Sequence, residues 1–154
     1  MRFVCGDVFK YPNFPFENGT TRDKYFVIMA HDDDDDEYYC LITTSQYIKK
    51  RNQKGSNIDN GCNPPPKETT TRSKNFFMGY WISKPTIQAW TYCPTGTIIL
   101  TQFVYVISDN NLFESVGRLR SRDWTSLRTC LLETNKLFIA DDVRLIITLS
   151  TLGH

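Results

Sequence analysis

Apolar positions in this chain fall into short blocks separated by turn-forming residues. In the first third, Asp7–Tyr11, Tyr25–Ala30 and Tyr38–Thr43 are dominated by aromatic and β-branched side chains. Pro, Asn-Gly and Asp clusters lie between them, and that combination predicts three short strands. The first is expected to end in a turn around Pro12 and Pro15. Further on, Phe76–Ile82 and Thr86–Tyr92 read as strands, and Thr97–Ile107 as a third, long and apolar enough to be buried. Pro85 and Pro94-Thr95-Gly96 punctuate them.

The period then changes. Ser121-Arg122-Asp123 can cap a helix in which Trp124, Leu127, Leu131 and Leu132 recur at i, i+3, i+7 and i+8. Asp141-Asp142 can open another, with Val143, Ile146, Ile147 and Leu149 apolar, although its β-branched content leaves a strand open. Arg118, Arg120 and Arg122 alternate just before the first helix; a solvated helix approach is the simpler reading, a phosphate-contacting edge the other.

Between these regions, 47–74 is polar, contains Pro64-Pro65-Pro66 and shows no sustained period. Loops of that length in compact domains are functional or disordered. Its cations, Lys49, Lys50, Arg51, Lys54, Lys67, Arg72 and Lys74, outnumber Asp59 and Glu68. Either it presents a basic arm to RNA phosphates or it is an insertion kept soluble by its charges.

Composition narrows the picture modestly. The 154 residues suit one domain with its own core, and the net charge of +1 selects no partner. No apolar run approaches the roughly 20 residues of a membrane helix, and no basic-then-apolar leader opens the chain, so a cytoplasmic protein without membrane contact is expected. Five scattered cysteines without a CxxC pair read as reduced, small apolar residues rather than metal ligands. The acidic run from Asp32 to Glu37 lacks the spaced ligands and turning Gly of a calcium loop. It reads as a solvated hairpin tip that can also repel nucleic acid or dock a basic partner.

Candidate chemistry gathers at the opposite end of the same strands. If the second and third pair antiparallel, Arg22-Asp23-Lys24 at the start of one meets Thr43-Thr44-Ser45 at the end of the other. Cations and hydroxyls side by side suit a phosphate. Trp81 and Trp90 are core aromatics or stacking platforms for bases.

The pieces GDVF, NFPFENG, DKYFVIM and LITTSQ, followed later by IILTQFVYV, together resemble the MazF/PemK/Kid group of toxin ribonucleases. They cover about a third of the chain in that family's order. The resemblance implies a mainly β (α+β) domain over 1–154: a small SH3-like barrel over about 1–108, with helical cover over about 109–154. It also implies a homodimer that cuts single-stranded RNA, leaves a cyclic phosphate and is neutralised by an antitoxin. In that family a loop Arg and a strand-end Thr or Ser act on the phosphate, which corresponds here to Lys24 and Thr43-Thr44. The family's Arg-Pro is replaced by Lys24-Tyr25, and a point charge does not substitute for a planar fork.

RNA cleavage by a histidine pair is poorly served, because His31 abuts the acidic run and His154, the last residue, is expected to be mobile. The remaining route uses preorganised donors and needs no metal or other cofactor. Arg22 or Lys24 holds the phosphate, Thr43 or Thr44 donates to an oxygen, and Glu17 or Asp23 serves as base. The rival reading is a non-catalytic barrel that binds RNA or a protein.

Overall fold

A computed structural model describes residues 2–44, 79–82, 97–134 and 139–154. Among these residues seven strands form one antiparallel sheet: β1 (Asp7–Pro15), β2 (Thr21–Asp32), β3 (Glu37–Thr44), β4 (Gly79–Ile82), β5 (Thr97–Leu100), β6 (Tyr105–Ser108) and β7 (Glu114–Arg118). Two helices follow, α1 (Ser121–Thr134) and α2 (Asp141–Leu149). The order across the sheet is β4-β5-β3-β2-β1-β7, with β6 also paired to β3. The mainly β character with helices late in the chain agrees with the sequence reading.

The centre is β2. Phe26, Val27, Ile28, Met29 and Ala30 are all fully buried, which explains an unbroken apolar run where a half-exposed strand would alternate. Phe9 and Phe26 are cross-strand partners, and around them Phe3, Tyr38, Tyr105 and Phe113 stack or tilt at centroid separations of 4.8 to 6.3 Å. Helices α1 and α2 pack on each other, α2 against β2 and α1 against β4. A register shift in β2 between Ile28 and Ala30 accompanies an Ile28 carbonyl that accepts from both Gly6 N–H and the Trp124 indole N–H, at 2.8 and 3.2 Å. The helix is thereby fastened to the middle of the sheet.

Several expectations are corrected. Strand β1 does not stop at Tyr11. It continues to Pro15 through a register shift, with Asn13 in the left-handed region at φ 55° and its N–H bonded to Asp23 Oδ1. The turn falls instead at Phe16–Thr20, where Asn18 and Gly19 supply the side-chain acceptor and the positive φ. The single strand expected over Thr97–Ile107 is two: β5 pairs with the end of β3, and β6 with its beginning. Strand β7 extends the sheet into the stretch read as helical cover. Among the described residues no pairing joins β4 to β7, so these strands do not close into the expected barrel. The edge of β3 away from β2 is shared by two short strands, β5 at its end and β6 at its beginning.

His154 is not loose: its carbonyl accepts from Cys5 N–H at 3.1 Å, and Gly153 N–H donates to Cys5 O at 3.0 Å. Nor are the cysteines uniformly reduced, since Cys130 is disulfide-bonded, whereas Cys5 and Cys40 are free and buried. Burial pushes both of these thiols above their ordinary pKa, Cys40 strongly. Among the described residues no helix is long and apolar enough to cross a membrane. Residues 45–78, including the basic stretch with Lys49, Lys50, Arg51, Lys54, Arg72 and Lys74, and the proposed strand Thr86–Tyr92 lie outside the described residues.

Candidate functional site

Strands β2 and β3 are antiparallel, with Phe26 opposite Ile42, so the beginning of β2 does lie beside the end of β3. In the extended segment Thr21–Phe26 side chains alternate, and Arg22, Lys24 and Phe26 share one face. The geometry bears this out on both sides. The Arg22 guanidinium and the Lys24 ammonium stand over the Phe16 ring at 5.6 and 5.8 Å from its centroid. Asp23 is on the other face, where its carboxylate lies 3.4 Å from Lys10 Nζ and accepts from Asn13 N–H. That backbone hydrogen bond, followed by the charge of Lys10, lowers the Asp23 pKa, and Asp23 in turn raises that of Lys10. Asp23 is therefore engaged away from the two cations and is a poor base for chemistry beside them.

Phe16 belongs to an aromatic corner. Its ring meets Phe14 edge-on at 5.4 Å, and Phe14 meets Tyr105 edge-on at 6.0 Å. Phe14, Pro15, Phe16, Glu17, Asn18 and Tyr105 line an open depression of about 460 Å³. Glu17 is exposed on the turn. Burial raises the Tyr105 pKa, and the Glu17 charge adds to the shift, so the phenol keeps its proton at neutral pH. The depression thus combines flat apolar walls, a carboxylate and a phenolic donor, and one of its walls, Phe16, also carries the two cations.

The strand-end hydroxyls fit less simply. Thr43 is only 3% exposed. As the neighbour of Ile42, whose partner is Phe26, it projects from the face opposite Lys24 and Arg22. Its hydroxyl is buried in the sheet rather than offered to a phosphate. Thr44 is the last residue of β3, and its backbone is paired with Ile98. Of the predicted residues, Arg22 and Lys24 come together, Glu17 lies on the adjoining turn, and Thr43 is turned away.

Phe16, Phe14 and Tyr105 were not anticipated as site residues. The signal for the first two was present in Phe14-Pro15-Phe16, since aromatics two apart on an extended strand share a face. Tyr105 arrives through β6, whose pairing with the start of β3 has no local signature. The stacking candidate Trp90 lies outside the described residues, and for Trp81 the structure describes the backbone, paired with Ile98 in β4.

The turn between β2 and β3 carries the acidic run. Asp32 Oδ1 accepts from Asp34 N–H and Asp35 N–H, and Asp33 lies 2.9 Å from His31 Nδ1. Among the described residues no three His, Cys, Asp or Glu side chains are grouped to hold a metal ion. Compared with known proteins, the chain matches no family model and no curated protein.

Proposed function

We propose that this protein is an endoribonuclease that binds single-stranded RNA at the Arg22–Lys24–Phe16 corner and cleaves it without a metal. It would act in the cytoplasm as the toxin of a toxin–antitoxin pair, as a homodimer. The observation that carries the reading is the convergence of two cations on the face of one aromatic ring beside an aromatic depression. Single-stranded RNA offers the matching pair of features, phosphates for the cations and unstacked bases for the rings. In this reading Arg22 grips two phosphate oxygens and Lys24 adds a point charge. Glu17 takes the 2′-hydroxyl proton, and the protonated Tyr105 phenol or the strand-end Thr44 donates towards the charge that develops. Attack of the 2′-oxygen on phosphorus breaks the P–O5′ bond, the departing 5′-oxygen takes up a proton from water to leave as a 5′-hydroxyl, and a 2′,3′-cyclic phosphate remains.

The burial of Thr43, with Lys24 where the resembled family has Arg, favours a second reading: the same corner binds RNA and does not cut it. Incubating the purified protein with mixed-sequence single-stranded RNA in EDTA separates the two. The first reading predicts fragments with 2′,3′-cyclic phosphate ends. Retention of intact RNA by the protein supports the second, and cleavage that disappears in EDTA and returns with magnesium contradicts the proposed chemistry.

A further inference from the structure

The far end of β2 carries a surface of opposite charge. Asp33–Asp36 form the exposed β2–β3 turn, flanked by the cross-strand pair Asp32 and Glu37. Helix α2, which packs on β2, brings Asp141 and Asp142 to the same region in its first turn. Among the described residues, none of Asp32, Asp34, Asp35, Asp36, Glu37, Asp141 or Asp142 makes an ion pair; the acid bridges go to Asp7, Asp23, Asp33 and Asp109. The cation of α2 does not neutralise them, because Arg144 donates instead to Leu132 O.

Tyr39 sits at the meeting point. It is 8% exposed; burial raises its phenol pKa, and the charges of Asp32, Glu37, Asp142 and Asp35 raise it further. Beside this cluster α2 exposes an apolar strip. Leu145 and Leu149 are 60% and 72% exposed, and they follow Asp142 at i+3 and i+7 on one face. The strip leads into a depression of about 330 Å³ lined by residues including His31, Ile146, Leu149 and Thr151.

We propose that this surface docks a basic amphipathic segment of a partner protein. Lysine or arginine side chains would lie against the carboxylates around Tyr39, and apolar side chains would cover Leu145 and Leu149 and enter the depression. The order of features argues for one segment rather than separate ligands: carboxylates at the helix start, leucines one and two turns on, and the depression beyond. Uncompensated acids next to exposed leucines suit an occupant that carries both complements. The site lies at the other end of β2 from Arg22 and Lys24, so its occupant is not the RNA.

Fluorescence anisotropy with a labelled peptide of repeating Lys-Leu-Leu-Lys, and with oligolysine of equal charge, tests this at physiological salt. Two variants are compared with wild type after their thermal unfolding is shown to match. One is D32N/D35N/E37Q/D142N; the other is L145S/L149S. The amphipathic peptide should bind wild type, each variant should weaken it by about tenfold or more, and R22Q/K24Q should leave it unchanged. The proposal is overturned if the peptide does not bind, if oligolysine binds as tightly, or if either variant keeps wild-type affinity. It is also overturned if the leucines instead mediate self-association of the protein that excess peptide fails to displace.

Discussion

Gly6 and Asp7, the Gly-Asp opening of the family-like pattern, have structural roles here. Gly6 adopts φ 92°, donates to Ile28 O and accepts from Leu119 N–H, and a methyl group on it would collide with the Leu152 side chain. Asp7 accepts from Val4 N–H and from Arg118 Nε at 2.8 Å. The pair therefore ties the chain start to β2, β7 and the final residues. Gly6→Ala should lower stability by about 2 kcal/mol, the scale of a non-glycine residue forced into positive φ. An unchanged midpoint in urea unfolding would contradict this assignment. The same scale shows what alternation can and cannot reveal. That Arg22 and Lys24 share a face followed from their spacing. That Thr43 points inward did not, because Leu41, Ile42 and Thr43 are all buried and the strand has no exposed side to set the phase.

Among the elements, the contact between α1 and β2 decides how the helices sit. Trp124 begins the apolar face of α1, and its indole N–H reaches the Ile28 carbonyl beside the β2 register shift. Trp124→Phe would keep most of the buried area and lose the donor, although the carbonyl retains Gly6 N–H. Stability should fall by about 1 kcal/mol, readable as a shift in the denaturant midpoint without loss of secondary structure. A variant as stable as wild type would show that packing alone seats the helix. Helix α1 was legible from its period; the period left α2 open to a strand, and it forms a helix despite its β-branched residues because Val143, Ile146 and Ile147 face the core. The break between β5 and β6 was not legible. Thr97–Ile107 is apolar enough for one strand, and only the pairing of β3 with different partners at its two ends divides it. The extension of β1 past Pro12 was hidden for a related reason, since Asn13 and Asp23 complete the irregular pair from separate strands.

At the scale of the whole molecule, the core holds many neutral acids. Burial raises the pKa of Cys5 and Cys40 above the ordinary 9.0, and of Tyr38, Tyr39, Tyr80 and Tyr105 above the ordinary 10.0. Raised in the folded state, these groups contribute stability that is fully present below their unfolded values and is lost as pH rises through the folded ones. Denaturant midpoints should therefore fall as pH passes about 9 to 10, and the absorbance change of tyrosine ionisation should lag that of the unfolded chain. Coincident titration of folded and unfolded protein would contradict the burial. Charge is also organised along the length of β2, with Arg22 and Lys24 at one end and the aspartate turn at the other, and only the first suits nucleic acid. The most direct test is the salt dependence of binding to a 2′-O-methylated single strand that cannot be cut. If Arg22 and Lys24 each hold a phosphate, R22Q/K24Q should weaken binding and flatten the slope of log K against log salt by about 1.4, at about 0.7 per lost contact. A double variant with wild-type slope and affinity would contradict the assignment of the RNA site to this corner.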